Sequence, residues 1–301
     1  MSEISPPEPL VIAFSEACDR GKVREENQDN VRRASIPLGE LLIVADGMGG
    51  YQGGATASRI AVETFLEYLG SRPPDYPPEQ AIREASASAN TNIATAANSP
   101  GSLYRQMGST VVLALLTQDA SGTRAWIAHV GDSRAYLARA GQLNRITNDH
   151  SAVQALLSQN LITPEQARHH PDASALTRSL GHQPEVEIDI EMVPLQDGDS
   201  LLLCSDGLWG FVPEQEMEAA AANLELTVEM AAQTLLDLAL AAGGHDNIGL
   251  AMARMSKAPP AVKKPRRRFL AILAASLLVI AGLGVLAWFA MHSHWLHALR
   301  R

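Results

Sequence analysis

Apolar residues in this chain fall into three patterns: short unbroken runs, strict alternation, and helical stripes. Leu41–Ala45 (LLIVA), Thr110–Leu116 (TVVLALL) and Ser200–Cys204 (SLLLC) are unbroken runs of strand length and predict buried strands. Leu10–Ala17 predicts a first strand and Ile248–Met255 a last one. Arg124–Val130, Ala135–Arg139 and Leu143–Ile146 predict three strands of a meander, with Gly131-Asp132 and Ala140-Gly141 as turns. In Val186–Val193 acid and apolar residues alternate, as in a half-exposed strand. Thr56–Leu69 carries Val62, Phe65, Leu66 and Leu69 at i, i+3, i+4, i+7 and predicts a helix. Glu79–Ala97 is a second, alanine-rich helix striped by Ile82, Ala85, Ala89 and Ile93. Pro213–Ala222 and Thr227–Ala242 predict two more, the latter stopped by Gly243-Gly244. Arg20–Asn30 is too polar for core. Asp149–Gly181, with short helical pieces at Ala152–Leu157 and Pro164–His169, reads as an excursion over the sheet.

Strands and helices therefore come in blocks rather than in strict alternation. Hairpin-length connections favour antiparallel sheets with helices outside them, an α+β layered fold. The boundaries expected are a loose N-terminus (1–9), one globular domain (10–256), a basic linker (257–268), an apolar segment (269–290) and a short tail (291–301). Phe269–Ala290 has 22 residues without a charge, enough to span a bilayer. A buried core helix is the plain alternative. The flanking Lys263-Lys264-Pro265-Arg266-Arg267-Arg268 cluster, and Trp288 and Trp295 near the far end, favour one transmembrane helix with the globular domain on the cytoplasmic side of the cell membrane. Met1–Pro9 lacks the pattern of a secretory signal.

Charge sharpens this division. All 33 Asp and Glu lie before residue 257, with 16 of the 24 Lys and Arg; the other 8 basic residues follow with no acid among them. The acidic globular part argues against a nucleic-acid partner. Cys18 and Cys204 make no disulfide framework, and reduced thiols are expected.

Candidate chemistry sits where strands end. Asp46 follows LLIVA and precedes Gly47; Asp206 follows LLLCS and precedes Gly207; Asp132 follows WIAHVG; Asp246 introduces the last strand in HDNIGL. Each alone is an ordinary turn, Asp46-Gly47 above all. Four together suggest carboxylates converging at one sheet edge, where oxygen ligands suit Mg²⁺ or Mn²⁺ rather than zinc.

In order along the chain, RxxNQD (Arg24–Asp29), VADGMGG (Val44–Gly50), GST (Gly108–Thr110), HVGDSRAY (His129–Tyr136), CSDGLWG (Cys204–Gly210) and GHDNIG (Gly244–Gly249) resemble the metal-dependent protein serine/threonine phosphatases of type 2C, in particular bacterial members with a C-terminal membrane anchor. The resemblance covers about Phe14 to Met255. It implies an αββα four-layer sandwich of two antiparallel sheets flanked by helices. It implies that Asp46 bridges two metal ions, that the Gly47 carbonyl, Asp206 and Asp246 complete their ligands, and that Asp132 holds a third. Arg24 would bind phosphate, Asp29 would hold metal-bound water, and the excursion would be the family's mobile flap, with Ser174 near the third metal. Two Mn²⁺ or Mg²⁺ ions would lower the pKa of a bridging water, which attacks phosphoserine or phosphothreonine in line. Phosphoprotein substrates and a cognate serine/threonine kinase are the implied partners. Gln28 stands where animal members have an acid, and Met48 where they have a histidine proposed as general acid.

Two rival readings come from other classes. Cys18-x-x-Gly21-x-x-Arg24 spells the loop of cysteine-dependent phosphatases, though Glu25 follows the arginine where a hydroxyl belongs. A phosphatase-like module without catalysis would lack metal-site aspartates, and all are present here.

Overall fold

The computed structural model describes residues 10–257 except 51, 101, 103, 164–165, 168–169 and 173–174. The predicted membrane segment, its linker and tail, the loose N-terminus and Ser174 lie outside the described residues. Among the described residues no helix is long and apolar enough to cross a membrane.

Two antiparallel sheets stack face to face. One runs β1 (Leu10–Asp19), β11 (Ile248–Lys257), β10 (Ser200–Cys204), β7 (Arg134–Arg139), β8 (Gln142–Arg145) in spatial order; the other runs β2 (Asp29–Ile36), β3 (Gly39–Met48), β5 (Val111–Asp119), β6 (Gly122–Val130), β9 (Asp189–Leu195). The short strand β4 (Gly108–Ser109) pairs with the end of β3. Helices α1 (Gly53–Gly70) and α2 (Pro78–Asn98) cover the second sheet. Helices α5 (Glu214–Ala221) and α6 (Val228–Ala241) cover the first. Between them in the chain come α3 (Ala152–Ser158) and a single turn, α4 (Asp206–Trp209).

The unbroken apolar runs have a direct cause. Successive strand residues point to opposite faces, and both faces of the central strands are covered. In β3, Leu41, Ile43 and Ala45 pack under α1 and α2, while Leu42 and Val44 face the other sheet. In β10, Leu202 and Cys204 face the helices and Leu201 and Leu203 face the opposite sheet. Each fully buried leucine contributes roughly 1.5–3 kcal/mol of apolar transfer.

Three sequence expectations change. Strand β2 (DNVRRASI) has no apolar signal because it is an edge strand pairing only with β3; Val31 enters the core while Arg32 and Arg33 stay exposed on that edge. The meander is broken: β6 lies in one sheet and β7 in the other, so Gly131-Asp132 carries the chain between sheets rather than around a hairpin. The φ of +103° at Gly131 serves this crossing, and a Cβ there would meet Thr110 Cγ2 at 2.6 Å. Finally, Asp46-Gly47 is not a turn. Strand β3 runs through it to Met48, pairing Asp46 with Asp29 on one side and Gly47 with Ser109 on the other.

Candidate active site

The starts of β2 and β11, the ends of β3 and β10 and the β6–β7 crossing open on one cleft of about 1050 Å³, whose lining includes Arg24, Asp46, Gly47, Asp132, Asp206 and Asp246. Backbone contacts bring these segments together. A Cβ on Gly47 would stand 1.9 Å from the Gly54 carbonyl, and one on Gly207 1.8 Å from the Asn247 carbonyl. Glycine at these two positions lets α1 close on the end of β3 and α4 close on the Asp246-Asn247 loop.

Hydrogen bonds hold the segments that carry these carboxylates. The Asp46 N–H donates to Thr110 Oγ1 (3.0 Å), and its carbonyl accepts from Thr110 N (2.8 Å) and Ser109 Oγ (3.0 Å). Asp206 opens α4 directly after β10. Asp246 Oδ1 accepts from the Asn247 N–H (2.8 Å). Asp132 sits in the crossing, where Trp209 Nε1 donates to its carbonyl (3.0 Å). Asp29 is buried beside them; its Oδ2 accepts from Ser205 Oγ (2.6 Å), while its Oδ1 finds no donor among the described residues.

These carboxylates resist ionisation. Burial, then the neighbouring Asp206 and Asp246 charges, push Asp29 up to about 7. Burial and Asp206 push Asp132 to about 7, and burial and Asp246 push Asp206 to about 6. Asp46 is raised well above the usual carboxylate range by burial and by Asp29, Asp206, Asp132 and Asp246 around it. Asp46 and Asp206 nevertheless keep an edge open to the cleft. An orphaned buried oxygen amid mutually repelling acids, all of them hard donors, fits divalent cations of the Mg²⁺ or Mn²⁺ type.

Arg24 is not paired with Glu25 or Glu26: its Nη2 lies 2.6 Å from Asp246 Oδ2. The loop that carries it is tied down by Asn247, whose Nδ2 donates to the carbonyls of Arg20 and Glu26 (both 2.9 Å) and whose Oδ1 accepts from Gln28 N (2.8 Å). Gln28 and Met48 also line the cleft. So does His182, with its ring nitrogens 2.7 Å from Ser179 Oγ and 3.1 Å from the Gln106 carbonyl. The excursion leaves β8 and returns at the Ser151–Leu176 bridge, delivering Leu176, Thr177 and Ser179 to the cleft wall.

Cys18 sits within β1 as an exposed residue, with Asn27 Nδ2 3.2 Å from its sulfur. Cys18 is not among the residues lining the cleft, whereas Arg24 is, its guanidinium resting against Asp246. The Cys-x-x-Gly-x-x-Arg spelling is therefore coincidental.

Sequence reasoning brought out Asp46, Gly47, Asp132, Asp206, Asp246, Arg24 and Asp29, and all seven meet at or beside this cleft. It missed Thr110, Ser205, Asn247, Trp209 and the pair Arg134–Asp149 (2.6 Å), in which the Arg134 guanidinium lies 3.4 Å over the Trp209 ring. Most of these sit inside the quoted motifs, but their work is hydrogen bonding across the fold.

The similarity to known proteins agrees with this geometry. The family described as Protein phosphatase 2C matches residues 21–241. The serine/threonine phosphatase stp of Listeria monocytogenes is 38% identical over 237 residues, covering 76% of this chain and 90% of that protein. The crystal structure of the Mycobacterium tuberculosis serine/threonine phosphatase PstP/Ppp superposes with a TM-score of 0.73 at 35% identity, covering 82% of this chain and 100% of that one. A structure of the PstP catalytic domain in complex with two manganese ions gives a TM-score of 0.72 at 33% identity, covering 82% of this chain and 99% of that one. A match over most of the chain, joined to a cleft of converging aspartates on two stacked antiparallel sheets, leads to one assignment: the chain belongs to the protein phosphatase 2C family and is a protein serine/threonine phosphatase.

Proposed function

We propose that Asp46, the Gly47 carbonyl, Asp206 and Asp246 hold two Mn²⁺ or Mg²⁺ ions, that Asp132 serves a third, and that the cleft hydrolyses phosphoserine and phosphothreonine in proteins. The observation that carries this reading is the set of enclosed aspartates, raised by burial and by one another's charge, beside an undonated Asp29 oxygen. When bound, such ions activate water and neutralise phosphoryl charge. The chain's own residues do the rest. Ser109 and Thr110 hold the Asp46 backbone, which fixes the point at which its carboxylate enters the cleft. Arg24, half exposed on the rim, exchanges Asp246 for the substrate phosphate; its planar fork suits two phosphate oxygens. Asp29, fixed by Ser205, takes a hydrogen bond from water in the cleft through its second oxygen. Met48, which carries no ionisable proton, stands where animal members have a histidine, so the leaving oxygen receives its proton from water.

The basic linker and the apolar segment 269–290 support a single-pass anchor with this domain on the cytoplasmic face of the cell membrane, where it opposes a serine/threonine kinase. Assay of the full chain on a phosphothreonine peptide tests the chemistry. EDTA should abolish turnover, Mn²⁺ should restore it, and Cys18→Ser should change nothing; activity that survives EDTA but not Cys18→Ser refutes the reading. A reporter fused after Arg301 should be found outside the cytoplasm; a cytoplasmic signal overturns the orientation.

A further inference from the structure

The β6–β7 crossing carries Asp132, and two residues that follow β8 clamp it. Asp149 takes Arg134 at the far end of the crossing (Nε–Oδ1 2.9 Å, Nη2–Oδ2 2.6 Å). His150 takes Gly131 at the near end. Its backbone N–H donates to the Gly131 carbonyl (2.9 Å), and its Nδ1 accepts from the Gly131 N–H (3.2 Å). Since Nδ1 accepts, the ring proton of neutral His150 is on Nε2, 3.2 Å from Asp189 Oδ2. Arg178 Nη1 donates to the other Asp189 oxygen (2.8 Å) and lies 3.3 Å from His150 Nε2. His129 stacks on the same ring at 4.5 Å between centroids and places its own Nε2 2.7 Å from the Asn148 carbonyl.

His129, His150 and Asp189 bring ligand-type atoms to within 4.8 Å of one another, a composition that suits a transition metal. The bonding speaks against it. One His150 lone pair is engaged by Gly131, its other nitrogen carries a proton, and the Arg178 guanidinium already neutralises Asp189. The cation of this cluster is an arginine.

That arginine belongs to the returning limb of the flap. The His150 carbonyl accepts from Thr177 N (2.8 Å), and Ala152 N donates to the Ala175 carbonyl (2.8 Å). The neck of the flap and the Asp132 crossing thus share one residue. We infer that His150, oriented by Asp189 and Arg178, is a positioning residue for Asp132, coupling the seating of the flap neck to the affinity of the Asp132 metal position. This rests on the proposed reading of Asp132 as a ligand. His150 itself touches neither substrate nor metal; it sets the Gly131 peptide from which Asp132 projects.

The test uses the full-length chain, with Mn²⁺ binding followed by calorimetry and the free ion by electron paramagnetic resonance. His150→Phe keeps the stack on His129 and the backbone bonds but removes the acceptor for Gly131. It should weaken the lowest-affinity Mn²⁺ at least tenfold, leave the tighter ions within twofold, and speed amide exchange at Gly131 and at 175–178 at least tenfold. His150→Gln, which restores an acceptor, should recover part of both effects. Asp189→Ala should repeat them more weakly, and it decides the matter if His150→Phe does not fold. Asp132→Asn is the control. If it leaves every class of Mn²⁺ intact, the reading of Asp132 falls and the inference with it. If it removes the weak class while the His150 and Asp189 variants bind Mn²⁺ like the parent, only the inference is overturned. Equal weakening of all classes by the His150 or Asp189 variant also overturns it, because that marks a merely structural role.

Discussion

The interior between the sheets and the cleft at their edge are built by the same strands and obey opposite rules. Leu42 and Val44 of β3 and Leu201 and Leu203 of β10 are buried against apolar partners. A step further along the same chains, Asp46 and Asp206 are enclosed among other acids, and their proton affinities rise accordingly. The interior is complete without any ligand. The cleft is complete only with positive charge in it. Folding energy from the first region holds the second in a state that the cleft residues would not choose alone.

The largest expected effect separates function from stability. Asp46→Asn should lower turnover on a phosphopeptide by at least about 10²-fold, because a metal-supported step loses several kcal/mol. Without Mn²⁺ the same variant should melt no lower than the parent, since it removes a repelling carboxylate. A metal-free melting temperature well below that of the parent would show that Asp46 belongs energetically to the interior.

Next comes the converse substitution. Leu203→Ala opens a cavity between the sheets and should destabilise by about 2–5 kcal/mol. Mn²⁺ affinity should stay unchanged, as read by calorimetry at a temperature where the variant remains folded. A parallel loss of Mn²⁺ affinity would mean that the two regions are not separable.

The third effect is a pH trend. Asp29 and Asp132 near 7 and Asp206 near 6 are raised above the ordinary carboxylate value, so the folded, metal-free protein binds more protons than the unfolded chain between about pH 4 and 7. Stability then falls as pH rises across that window. Thermal melts in EDTA should drop by several degrees from pH 5 to pH 8. With saturating Mn²⁺ the slope should reverse, because the ion binds the deprotonated form. A flat profile in EDTA would show that the acids do not strain the metal-free fold.

The same contrast explains what could be read from sequence. Strands β3 and β10 were legible because both of their faces are apolar, and Asp46 and Asp206 were legible because each ends such a run beside glycine. Strand β2 was not, since as an edge it needs only Val31 in the core. Gly47 read as a turn because Asp-Gly is a local signal, whereas its real requirement is the Gly54 carbonyl across the fold. The crossing at Gly131-Asp132 looked like a hairpin because nothing local distinguishes a change of sheet from a reversal. Asn247, Ser205 and Thr110 act through partners 44 to 227 positions away in the chain, a distance over which periodicity carries no information.

Ser205 stands on the border between the two regions and gives the smallest effect. Its hydroxyl donates to Asp29 Oδ2 (2.6 Å) and accepts from the Gly249 N–H (2.9 Å), tying a cleft carboxylate to the strand β11 backbone. Ser205→Ala leaves that buried amide without its side-chain acceptor, a loss of about 1 kcal/mol. Its second consequence depends on the cation. Without metal, Asp29 can meet the missing donor by keeping its own proton. With Mn²⁺ bound nearby, Asp29 is driven towards the anion and needs the hydroxyl more. The variant should therefore lower the melting temperature by a few degrees in EDTA and by more with saturating Mn²⁺. An equal drop in both conditions would assign the hydroxyl to the interior alone and move the boundary between the two regions to the far side of Ser205.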